Sequence, residues 1–279
     1  MNGPDSRHDT ADGNSRPSGM PAVFIGHGSP MNAIEDTGFS RAWEHLGRVL
    51  PRPEAILCIS AHWETVGTRV TAMSHPRTIH DFGGFPKALF EVEYPAPGIP
   101  PLAERIRQLA PVPVAMDGEW GLDHGAWSVL CRMYPGADIP VVQLSLDRAL
   151  TPARHYELGR SLRALRREGV LIIGSGNIVH NLGALVWGDT ASDWALEFDR
   201  RVSELILAGD HDALIGFHEC GPSARLAVPT AEHFLPLLYI LALQTPGETV
   251  SFFADRVTLG AISMRSVIIG ALPQPPADG

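Results

Sequence analysis

Apolar residues along this chain come in short continuous runs separated by stretches of helical spacing. PAVFIG, which stops at Gly26, AILCIS (55–60), IPVVQLSL (139–146) and VLIIGSGN (from Val170) are β-prone runs without polar alternation. Strands buried on both faces read this way. Between them, Phe39, Trp43, Leu46 and Leu50 recur at helical spacing, as do Leu102, Ile106 and Leu109, and Trp194, Phe198, Val202 and Leu205. A further helix, carrying Leu130, Cys131 and Tyr134, follows GLDHGAW, and Ala153 to Glu168 reads as one charged amphipathic helix. PTAEHFLPLLYILAL predicts a nearly all-apolar, buried helix, with Thr230 as its N-cap and Pro236 in or near its first turn. Val250 to Phe253 and Gly260 to Ile269 alternate, as late antiparallel strands do.

Strands alternating with helices predict an α/β fold: one domain around a central, mostly parallel sheet flanked by helices. Residues 1–19 lack the apolar segment of a secretory signal and read as a disordered leader, which leaves His8 without a role. The domain is expected over residues 20–272, with a flexible tail at 273–279.

The composition narrows the function. Lys and Arg number 22 against 31 for Asp and Glu, a formal charge of −9, with no basic cluster. Such a chain is a poor ligand for nucleic acid or anionic membranes, so small molecules are the expected partners. No apolar run approaches the ~18 residues of a membrane span. Cys58, Cys131 and Cys220 are far apart and form no C-x-x-C pair, which fits reduced thiols in a cytoplasmic protein. One stretch stands out: residues 74–100 are rich in Pro, Gly and aromatics, and a connection that long inside a compact domain is usually a lid or binding loop.

The candidate chemistry lies in histidines. His27 (GHGSP), His62 (SAHW) and His180 (GSGNIVH) occupy or follow strand ends, where open α/β sheets build their sites. His124 (GLDHG) and His233 (TAEHF) lie in loop-to-helix transitions. Imidazole ligates Fe, Zn, Cu or Ni and is also the common general base near neutral pH. A single histidine after a strand is more often a hydrogen-bonded loop residue, but that reading does not explain why several strand ends carry histidine beside glycine. His45, His155, His211 and His218 lie in charged contexts and read as solvated; His75 and His80 belong to the long loop. GSGN lacks the spacing and the Lys of a phosphate loop, and GHGSP is not a nucleophile elbow.

Taken together, PAVFIGHGSPMNA, ILCISAHWE, TIHDFGGFP, YPAPG, GLDHGAW, PVVQLSL, GSGNIVHNL and PTAEHFLPLLY resemble the class III, LigB-type extradiol dioxygenases, in particular their DOPA-dioxygenase branch. These pieces span about residues 20 to 240 in the family's order. The resemblance implies that His27, His62 and His233 hold the metal. It implies that His180 lies beside it as acid/base or extra ligand, and that His124 faces substrate and oxygen. The wider superfamily uses two histidines and a carboxylate, so Glu232 is a rival to His233. Fe(II) is the cofactor implied for catalysis, and three or four imidazoles also suit Zn(II). The implied reaction opens a catechol ring with O2 beside the two hydroxyls at a mononuclear site. His180 is the candidate base for a catechol proton, and Trp63, His80, Phe82 and Phe85 are candidate substrate contacts. Two alternatives share the site: a zinc-dependent hydrolase, and a non-catalytic binding protein of the Memo kind.

Overall fold

The computed structural model describes residues 19–272; the predicted tail, and the leader up to residue 18, lie outside them. An eight-stranded mixed sheet forms the centre. Its strands are β1 (Ala22–Gly26), β2 (Ala55–Thr65), β3 (Thr68–Thr71), β4 (Val114–Asp117), β5 (Val141–Asp147), β6 (Val170–Gly176), β7 (Val250–Phe253) and β10 (Ser266–Ile269), in the order β4-β3-β5-β2-β6-β1-β10-β7. A two-residue pair, β8 (Val257–Thr258) with β9 (Ile262–Ser263), forms a second, antiparallel sheet. The middle strands β5, β2, β6 and β1 run parallel, and β10 and β7 extend the sheet antiparallel.

Alternation sorts the core into two layers, because successive side chains of a strand point to opposite faces. Ala22, Phe24, Leu57, Ile59, Val142, Leu144 and Ile172 pack with α3 (Pro100–Leu109), α5 (Pro152–Ser161), α6 (Asp193–Ala208) and α9 (Leu235–Ala242). Val23, Ile25, Ile56, Val141, Leu171 and Ile173 pack instead with α1 (Gly38–Val49) and α4 (His124–Met133). Both faces are covered, which is why these strands read as unbroken apolar runs.

Several boundaries differ from the sequence reading. β2 continues to Thr65 instead of stopping at Ser60, through a register irregularity against β5 between Ile59 and Glu64. The helix expected over 153–168 stops at Ser161 and tightens into 3-10 turns that end at Gly169, whose φ of 79° is the left-handed conformation glycine tolerates. Gly260 to Ile269 is not one strand: Met264 and Arg265 interrupt it, and Arg265 is drawn to the buried Asp199 at 2.7 Å. Thr230 is no N-cap, since its hydroxyl donates to Glu232 and α9 starts only at Leu235, with Pro236 in its first turn as predicted. His155 is buried, not solvated, with Nδ1 2.9 Å from the Tyr239 hydroxyl. The three cysteines are free. No helix among the described residues is long and apolar enough to cross a membrane.

Candidate metal centre

The carboxyl ends of three adjacent parallel strands build the site. His27 follows β1 directly, and its backbone N–H donates to Gly176 O at the end of β6. His62 lies inside the prolonged β2 and not beyond its end. His180 follows β6 and pairs with Ile262 of β9. His124 opens α4, whose N-cap Asp123 is buried and accepts from Ser60 Oγ at 2.6 Å and Gln143 Nε2 at 2.7 Å. Burial raises the Asp123 pKa, and these donors from β2 and β5 fix the helix start over the strand ends. His233 arrives on the turn before α9, its carbonyl accepting from Asn177 N at 2.8 Å.

Two glycines permit these approaches. A Cβ at Gly176 would run into the carbonyl oxygen of His233. One at Gly125 would strike Ser60 Oγ and lie 2.9 Å from the His62 ring. The GSGN and DHG motifs thus carry backbone proximity, the ordinary use of glycine where elements crowd.

His27, His62 and His233 form a near-equilateral triangle, with ring centroids 5.0, 5.1 and 5.3 Å apart. One nitrogen of each lies within 4.8 Å of the other two. His124 packs against His62 at 3.8 Å, and His180 stacks on His233 at 3.4 Å with the ring planes 8° apart.

For His27 and His233 the partners of the outer nitrogens fix the inner ones. Ser175 Oγ donates to Gly125 O at 2.6 Å, so it accepts from His27 Nδ1 at 3.0 Å. Glu232 Oε1 accepts from His233 Nδ1 at 3.0 Å, and Asp81 Oδ2 stands 3.5 Å from His62 Nδ1. With Nδ1 protonated, the lone pairs of His27 and His233 are on Nε2. His27 Nε2 and His62 Nε2 face each other at 3.0 Å, and His233 Nε2 is buried with no hydrogen-bond partner. The His27 lone pair thus faces a second imidazole nitrogen, and an orphaned buried nitrogen is costly. One cation answers both, because two nitrogens bound to one ion at about 2.0–2.2 Å stand about 3–3.5 Å apart. A carboxylate or hydroxyl behind each ligating imidazole is the usual outer support of such a site. Glu232 therefore stands behind the His233 ring, on the side away from Nε2.

Electrostatics points the same way. Burial, reinforced by the neighbouring imidazoles, lowers the pKa of His27 and His233 well below the ordinary value. Burial, then His124, brings His62 down to about 3, against the opposing pull of Asp81. Burial brings His180 down to about 4, despite Glu232. These four imidazoles are therefore neutral near pH 7, the state a metal requires.

The remaining expectations divide. Phe82 packs edge-on against His124 at 5.4 Å, with Phe85, Phe90 and Trp127 around it. His80 contacts Phe82 and Trp127, its Nε2 donating to Val92 O at 3.0 Å, and has no ring contact with the histidine cluster. Trp63 is buried and stacked on Trp120, 5.6 Å between centroids, so packing accounts for it. Residues 74–97 are a fastened strap more than a lid: Ile79 N donates to Leu122 O, Trp127 Nε1 to Ile79 O, and Tyr94 N to Thr78 Oγ1. The sequence reading missed Asp81 and Ser175. Asp81 receives the backbone N–H and Nδ1 of His124, both at 2.9 Å. Burial alone would raise its pKa, but these hydrogen bonds outweigh it and hold the carboxyl below its usual value.

Comparison with known proteins gives this geometry its context. Residues 21–263 match the family described as the catalytic LigB subunit of aromatic ring-opening dioxygenase. The chain is 51% identical to the 4,5-DOPA dioxygenase extradiol of Escherichia coli K12 over 260 residues, covering 90% of this chain and 95% of that one. It is 43% identical to the 4,5-DOPA dioxygenase extradiol of Beta vulgaris over 222 residues, 77% of this chain and 83% of that one. The crystal structure of an uncharacterised E. coli K12 protein superposes with a TM-score of 0.79 at 43% identity, covering 90% of this chain and all of the other. These relationships set aside the hydrolase and the non-catalytic readings. The chain belongs to the LigB family, as an extradiol ring-cleavage dioxygenase of the class III, DOPA-dioxygenase branch.

Proposed function

We propose that this enzyme opens the ring of a DOPA-like catechol beside its two hydroxyls, using O2, at one metal ion held by Nε2 of His27, His62 and His233. The observation that carries the reading is the convergence of one ring nitrogen from each of the three histidines. Ser175 and Glu232 accept from Nδ1 of His27 and His233, the Nε2 atoms of His27 and His62 face each other at 3.0 Å, and His233 Nε2 has no hydrogen-bond partner. When bound, Fe(II) supplies redox chemistry that relieves the spin mismatch between O2 and a closed-shell catechol, and its three protein ligands leave positions for both.

The chain's own residues supply the proton handling. Burial brings the His180 pKa down to about 4, which weakens it as a base but leaves it neutral at pH 7, with a ring nitrogen available to the catechol proton as the ring docks. His180 is not a fourth ligand in this reading, because its ring lies parallel to His233 and not coplanar with it. His124 is the second acid–base group: it borders His62 and presents the ring edge opposite Asp81. Phe82, packed on His124, offers the substrate ring an aromatic edge and keeps water from that side.

The test is anaerobic reconstitution with Fe(II), followed by a spectroscopic screen of catechols on admitting air. The proposal expects a ring-opened semialdehyde from a catechol bearing an amino-acid side chain. It expects alanine variants of His27, His62 or His233 to lose metal and turnover together. Full metal binding in all three variants would refute the ligand set.

A further inference from the structure

We infer that Asp81 is a positioning residue that selects the Nδ1–H tautomer of His124. Asp81 comes from the HDFGGFP segment, 43 residues before His124 in sequence, and its side chain is only 18% exposed. Its two oxygens make separate contacts with one residue. Oδ1 accepts the backbone N–H of His124, and Oδ2 faces His124 Nδ1, both at 2.9 Å.

The chemistry of the donors leaves one arrangement. A backbone amide only donates, and an ionised carboxylate only accepts. His124 Nδ1 must therefore carry the proton, and a neutral ring then has its lone pair on Nε2, the edge away from Asp81. The two-point contact also fixes ring orientation, because the backbone bond anchors the carboxylate at the first residue of α4. The strap holds Asp81 there through Ile79–Leu122, Trp127–Ile79 and Tyr94–Thr78 hydrogen bonds. The same Oδ2 lies 3.5 Å from His62 Nδ1, beyond the 2.9 Å hydrogen bond it makes with His124, so its orienting contact is with His124. The catalytic consequence rests on the role proposed for His124; the tautomer does not.

Asp81→Asn discriminates. The backbone amide can pair only with the carboxamide oxygen, which turns the NH2 group toward Nδ1 and forces His124 into the Nε2–H form. Full-length metal-free protein labelled with 15N in its imidazoles reports the tautomer by two-bond proton–nitrogen correlation, with His124→Gln assigning the signal. The inference expects Nδ1–H in the wild type, Nε2–H in Asp81→Asn and Nδ1–H again in Asp81→Glu. In Fe(II)-loaded enzyme it expects Asp81→Asn to retain metal and lose kcat by ~10²-fold, with partial rescue in Asp81→Glu. Wild-type His124 protonated on Nε2 overturns the inference even if no variant folds, and so does an unchanged tautomer in Asp81→Asn. A tautomer switch without loss of kcat supports the positioning and counts instead against the acid–base role of His124.

Discussion

His180 lies face to face on His233, their ring centroids 3.4 Å apart and their planes 8° from parallel. A ligating imidazole holds its ion in its own ring plane, so an ion on His233 stands a full stacking distance from the plane of His180. His180→Gln should therefore retain metal and bind catechol while turnover falls ~10²–10⁴-fold. Elemental analysis beside single-turnover ring opening checks this, and parallel loss of metal would restore His180 as a ligand.

Ser175 both donates to Gly125 O and receives His27 Nδ1–H. Ser175→Ala removes the group that fixes the His27 tautomer without touching the ion. Metal affinity should fall ~10–100-fold, the usual cost of losing such a support. Competitive metal titration measures it, and an unchanged affinity would detach Ser175 from the centre.

Phe82 and Trp63 were equal candidates for the substrate wall by sequence, but only Phe82 touches the cluster. Phe82→Ala should raise KM about tenfold, equivalent to ~1.4 kcal/mol of lost apolar contact, with metal content unchanged. Trp63→Phe, which trims the stack on Trp120, should lower Tm and leave KM alone. The opposite pattern in steady-state kinetics would exchange their roles.

His155 offers a pH test remote from the metal centre. Burial brings its pKa from 6.5 to about 4, despite the opposing influence of Asp147. The folded state binds the proton less tightly than the unfolded chain, so this contribution is fully present above pH 6.5 and is lost as pH falls from 6.5 toward 4. His155→Gln should reduce by about one the protons taken up on unfolding near pH 5. Denaturant titrations of metal-free protein from pH 7.5 to 5 measure the slope. An unchanged slope would mean that His155 is protonated in the folded protein.

These residues also mark what the sequence disclosed. The four middle strands were legible because burial on both faces makes them unbroken apolar runs; His27 and His124 were legible from the glycines beside them, and His233 from its place ahead of an apolar helix. The short strands β3 (TRVT) and β4 (VAMD) were not, being too brief to show a period. His155 was misread because its charged neighbours dominate PARHYELGR. At helical spacing, though, it shares the inward face with Leu158, Gly159 and Leu162, all buried. Asp81 and Ser175 left no local signal, since each acts on a histidine 43 or 148 residues away. Only the folded chain brings those pairs together.

The most direct test of the central claim is single turnover of enzyme loaded with one equivalent of Fe(II), given a DOPA-like catechol under isotopically labelled O2. The account predicts one ring-opened product per iron, with both labelled oxygen atoms in it, and none from protein in which His27, His62 or His233 is replaced by alanine. Product carrying one labelled atom or none, or full turnover without His233, would contradict it.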